Sequence, residues 1–119
     1  MSTSLVAALL AMQASPAAPA PMPEPMTQEQ RALVRCSAAI AVTAGAQAKG
    51  EERARQWPEL GTRGREFFVR ALAQMMDETG LDRDGISLLV NAEAKALVAK
   101  GEVDKTMPAC LLMLEASGV

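Results

Sequence analysis

Leu33, Cys36, Ile40 and Ala44 recur at helical spacing, with mainly alanine and polar residues between them. That is a single apolar stripe along one helix face. The segment Thr27-Gln28-Glu29-Gln30 ahead of it has the pattern of a capping box, in which the threonine hydroxyl and the Gln30 side chain serve each other's amides. The pattern predicts a first helix running to Lys49, with Gly50 as its stop. Alanines 38, 39, 41, 46 and 48 thin its flanks, so neighbouring helices can come close.

Glu51 to Trp57 reads as a short helical turn before Pro58 resets the chain. A second helix is expected to start at Pro58, or near Thr62 if Gly61 and Gly64 weaken it, and to end at Thr79 before Gly80. Leu60, Phe67, Phe68, Ala71, Leu72 and Met75 give it the widest apolar face, which points to it as the central helix. Asp82 caps a third helix, Arg83 to Lys100, with the stripe Ile86, Leu89, Val90 and Leu97 and the stop Gly101. A last helix is expected from between Asp104 and Met107, with Pro108 in its first turn and Cys110, Leu111 and Leu114 facing inward. No segment alternates with period two over a strand's length. The expected fold is therefore all-α, a small bundle of about four helices over residues 27–119.

The N-terminal pattern is different. Leu5 to Met12 is an unbroken apolar run of eight residues. A span needs about 20, but eight suits the apolar region of a secretory signal. Small residues follow at Ser15-Pro16-Ala17 and Ala18-Pro19-Ala20, as a cleavage site requires. Residues 1–20 are thus expected to be a secretory signal peptide, without a lipobox cysteine, leaving no stable membrane span in the mature chain. A cut after Ala20 would place Pro21 next to the scissile bond, and no Lys or Arg precedes the apolar run, so neither signature is ideal. The competing reading is an N-terminal helix packed on the domain, or an Ala-rich disordered tail. Residues 15–26, with five prolines in twelve positions, read as an extended, disordered spacer between signal and domain.

Export changes how the two cysteines are read. Cys36 and Cys110 lie on the inward faces of the first and last helices. In an oxidising compartment such a pair is expected to form one disulfide tying those helices, closing a loop of 75 residues. Two buried thiols are the alternative. The pair lacks the C-x-x-C spacing of a redox couple, and a zinc site needs more ligands than two thiols.

Charge and chemistry narrow function mainly by exclusion. The net charge is −2, so no field gathers phosphate backbones or anionic lipid, and neither nucleic acid nor membrane is an expected partner. With no histidine there is no Ser-His-Asp or Cys-His nucleophile and no H-E-x-x-H metal site. Gly61-Thr62-Arg63-Gly64 has neither the number nor the spacing of a phosphate loop's glycines. Neither catalytic nor metal residues nor a cofactor are expected. Glu93 falls within the third helix's apolar stripe, where a carboxylate could serve as an acid or base; an edge residue reaching water or an arginine is the plainer expectation. Lys49 to Arg70 carries six cations, four anions and every aromatic, Trp57, Phe67 and Phe68, and reads as a solvated helix start rather than a stacking platform.

Trp57, Val69, Met76, Leu88 and Leu112 lie off the main stripes and form the candidate interaction surface, toward an unidentified protein or a second copy as a homodimer. Trp57 also fits as a lid on the end of the bundle. The sequence thus points to a small exported, periplasmic or secreted helical protein that binds another protein or acts structurally, without catalysis. Two alternatives stand beside it: a small carboxylate-dependent hydrolase or lyase using Glu93, and a cytoplasmic helical regulator with a disordered N-terminus.

Overall fold

The computed structural model describes Met26–Val119, so the expectations for the signal peptide and most of the spacer lie outside the described residues. The described chain is all helical: α1 (Gln28–Ala48), a 3-10 turn (Glu52–Gln56), α2 (Gly61–Thr79), α3 (Arg83–Lys100) and α4 (Val103–Ala116). A disulfide between Cys36 and Cys110 joins α1 to α4, with the two Cα atoms 5.0 Å apart.

Local chemistry explains the boundaries. The Thr27 hydroxyl accepts from the Gln30 amide, and the Gln30 side chain accepts from the Thr27 amide, both at 3.0 Å. At the other end of α1, Gly50 adopts φ +73°, which a side chain would strain. This turn lets the Glu51 and Gly50 amides reach back to the Ala46 and Gln47 carbonyls, both at 3.0 Å. The Asp82 side chain accepts from the Gly85 amide at 2.8 Å and starts α3.

The start of α4 differs from expectation. It begins at Val103, because the Thr106 amide already reaches the Glu102 carbonyl at 3.1 Å. Pro108 is then the sixth helical residue, past the first turn. It is exposed. The carbonyl it cannot serve, that of Asp104, therefore lies on the side open to water rather than in the core.

The central helix is α1, not α2. It packs against α2, α3 and α4 in turn, whereas α2 otherwise meets mainly α3. The reason is side-chain size. Ala38 and Ala39 are fully buried and Ala46 is nearly so, which lets three helices close around one. Gly64 of α2 extends the same logic: a Cβ there would stand 3.1 Å from the Ile40 methyl Cγ2. Its wide apolar face is real, with Leu60, Phe67, Ala71 and Met75 buried, but it is spent on one side. Ile40, Leu60, Met75, Ile86, Leu97, Met107 and Leu114 complete the core.

Among the described residues, one buried side-chain polar atom has no hydrogen-bond partner, the Thr43 hydroxyl on α1. Replacing it with a methyl of similar shape removes a desolvated donor that gains nothing. Thr43→Val should stabilise the fold by about 1 kcal/mol, seen as a higher denaturant midpoint at unchanged slope. A lower midpoint would show that the hydroxyl is satisfied in solution.

Candidate functional site

Two grooves run along the N-terminal half of α1, and Arg35 lines both. The first, of about 580 Å3, lies between α1 and α3 and is lined by Met26, Arg31, Val34, Arg35, Leu88, Leu89, Ala92 and Glu93. The second, of about 530 Å3, lies between α1 and α4. Its floor includes both disulfide cysteines, and its walls carry Lys105, Thr106, Ala109 and Met113. Because α3 and α4 both pack on α1 but hardly on each other, the two lobes form one trough over α1.

The floor of the first lobe is apolar and its rim is charged. Leu88 is 69% exposed at its lip, while Leu89 is half-buried beside it. Arg35 stands where the lobes meet: one guanidinium nitrogen donates to Glu102 Oε2 at 3.4 Å and to the Thr106 hydroxyl at 3.3 Å. These long, half-exposed contacts leave much of the guanidinium open. Arg31 makes no ion pair or side-chain hydrogen bond among the described residues. Such a trough can hold an extended or helical segment that sets an apolar side chain on Leu88 and a carboxylate on the arginines.

Glu93 is half-buried on the rim of this lobe, beside Arg31 and Arg35, with no second carboxylate lining the groove. No three His, Cys, Asp or Glu side chains converge as a metal site among the described residues.

The five sequence-selected surface residues are not gathered at one place. Leu88 lines the first lobe, and none of the other four lines either lobe. Val69 and Leu112 are strongly exposed on α2 and α4. Met76 is half-buried against the core. Trp57 is also half-buried, and its indole N–H donates to Asp104 Oδ1 at 3.1 Å, which fastens the 3-10 turn to the start of α4. Arg53 approaches the other oxygen of the same carboxylate at 3.6 Å. Phe67 is buried and Phe68, like Trp57, is half-buried against the core, so the aromatics of the Lys49–Arg70 stretch pack on the fold.

The arginines of the trough carry no signature in the sequence, since Arg31 and Arg35 take ordinary polar positions of an amphipathic helix. They do lie off the Leu33–Cys36–Ile40 stripe, but α3 and α4 flank that side too. Val98 was also missed; it is 58% exposed in a shallow apolar groove with Val42, Ala94 and Ala99.

Comparison with protein-family models, curated proteins and solved structures gives no match. Among the described residues no helix is long and apolar enough to cross a membrane.

Proposed function

We propose that this chain is an exported, non-catalytic protein-binding module whose docking surface is the trough over α1. The observation that carries the reading is Leu88, a large apolar side chain 69% exposed at the lip of an apolar groove rimmed by Arg31 and Arg35. An isolated exposed leucine means little, but one continuous with an apolar floor and a half-exposed arginine rim fits a partner of complementary chemistry. That partner segment carries one or two large apolar side chains flanked by Asp or Glu.

Export is supported by two independent features, the apolar run Leu5–Met12 followed by small residues, and the paired cysteines. Disulfides persist in the periplasm and outside the cell, and are rare in the cytosol.

Fractionation with intact-mass measurement tests the export half. A periplasmic or secreted chain lacking about 20 N-terminal residues, and unreactive toward alkylating reagent until reduced, is expected. A cytosolic chain that keeps Met1 and two reactive thiols overturns it. The docking half is tested by selecting peptides from a displayed random library against the oxidised chain. Binders should be rich in Asp, Glu and large apolar residues. Leu88→Asp and Arg31→Glu should each weaken the best peptide on the order of ten- to hundredfold, and Leu112→Asp should not. Binders indifferent to Leu88→Asp would place recognition elsewhere.

A further inference from the structure

We infer that two copies of this chain associate through the outer face of α3, antiparallel about a two-fold axis at Ala92, each copy seating its Leu88 in an alanine-lined hole of the other. The inference goes beyond the docking reading and does not rest on it, although Leu88 serves both.

The outer side of α3 is open along its whole length. Asp84, Leu88, Asn91, Ala92, Lys95 and Ala99 are all exposed, at the three- and four-residue spacing that sets them on one side of a helix. A solvated helix face is ordinarily polar throughout. Here the charges are confined to Asp84 at one end and to Lys95 and Lys100 toward the other, and leucine and alanine lie between and among them. Leu88 is 69% exposed, and Val98 at the border of the face is 58% exposed. Two of the four exposed large aliphatic side chains among the described residues therefore belong to this one helix.

The pattern is complementary to itself. Ala92, Lys95, Ala96 and Ala99 stand at i, i+3, i+4 and i+7, the diamond of four residues that receives a knob from a facing helix. Three of them are alanines, which leave room for a leucine. The lysine adds its aliphatic stem and keeps its ammonium in water. In an antiparallel pair with Ala92 facing Ala92 of the other copy, position 88 faces position 96, at the centre of that diamond. The same register sets Asp84 opposite Lys100, twice over by symmetry. None of Asp84, Lys95 and Lys100 takes part in an ion pair among the described residues, so these charges are free to pair between copies. A parallel pair would instead set Asp84 on Asp84 and lysine on lysine. The two-fold contact closes on itself, which gives a dimer and not a growing chain. With one helix from each copy it falls at the low end of specific interfaces, below about 1,200 Å2, so the association is weak and reversible. It covers Leu88, and so competes with a partner in the trough.

The test uses the whole oxidised chain. Sedimentation equilibrium up to about 1 mM should show reversible exchange between monomer and dimer. Within one chain Leu88 and Ala99 lie about 16 Å apart along the helix, so a nuclear Overhauser contact between their methyls can arise only between copies. That contact should appear and grow with concentration. Ala99→Arg fills the hole and should weaken association at least about tenfold, with thermal unfolding unchanged because Ala99 is exposed. Asp84→Lys and Lys100→Asp should each weaken it roughly fivefold. The chain carrying both changes should recover most of the loss, which damage to folding would not allow. A chain that stays monomeric throughout, or a dimer that tolerates Ala99→Arg and shows no Leu88–Ala99 contact, would overturn the inference. The two readings fail separately. Ala99 lines neither lobe of the trough, so the monomeric Ala99→Arg chain should bind the selected peptide at least as tightly as the unaltered one. No dimer, with peptide binding that still needs Leu88, would leave only the docking reading. A dimer with the Leu88–Ala99 contact, and peptide binding that ignores Leu88→Asp, would leave only the self-association.

Discussion

Cys36→Ala/Cys110→Ala is expected to leave a domain that is largely unfolded at physiological temperature, or close to it. The bond joins residues 74 apart, near the two ends of the described chain. Opening so long a loop returns chain entropy to the unfolded state, worth about 4.5 kcal/mol. The 94 described residues correspond to a total stability of only about 5–14 kcal/mol. The same staple therefore separates a secure fold from a marginal one. Its sulfurs are also in the core, with Cys110 fully buried and Cys36 nearly so, and alanine leaves a small void at each. The midpoint of thermal unfolding should fall by roughly 20 °C, in the double variant and in the wild-type chain heated with reductant alike. A fall of only a few degrees would mean that α4 is held by its apolar contacts, Met107 and Leu114 foremost, and that the bond is incidental.

The second large effect is expected at Gln47, a residue with no functional role in the trough. Its side-chain amide holds the connection between α1 and α2. Nε2 donates to the Pro58 carbonyl at 2.8 Å and lies within reach of the Ala54 and Trp57 carbonyls at 3.2 and 3.3 Å. Oε1 accepts from the Leu60 amide at 3.0 Å. Leu60 is fully buried, so its amide has little access to water as a substitute. Gln47→Met keeps the length and helix preference of the side chain and removes every one of these bonds. The cost should be about 2 kcal/mol, from the stranded amide and the loosened carbonyls. Thermal unfolding should shift down by roughly 10 °C, and the Leu60 amide should exchange with deuterium far faster than its neighbours. If stability and that amide's protection both survive, the loop is held by the Trp57–Asp104 contact instead.

Placed against each other, these two cases mark how far the chain's pattern could be read. The disulfide was legible because inward helix positions and the expectation of export both pointed to it. Gln47 was not, because a glutamine near the end of a helix has no distinguishing signature until the loop it holds is in place. The same holds for the trough. Leu88 stood out as an apolar residue off its helix stripe, but the arginines beside it belong to another helix, 53 and 57 positions earlier. Trp57 was identified as a contact or a lid; its bond to Asp104 fits the lid, and depends on a partner 47 residues away.

Helix number, most boundaries, the caps at Thr27 and Asp82 and the stops at Gly50, Gly80 and Gly101 were determined by the sequence alone. Each depends on groups within about one helical turn, where propensity and hydrogen bonding decide. Which helix lies at the centre, and which surface stays open around it, was decided only by the tertiary structure. The width of an apolar face suggested α2, but centrality requires small side chains on several sides at once. Ala38, Ala39 and Ala46 meet that condition in α1. With three helices crowded around one, α3 and α4 are kept apart, and that gap is what turns Arg35 from the back of a helix into the middle of a groove.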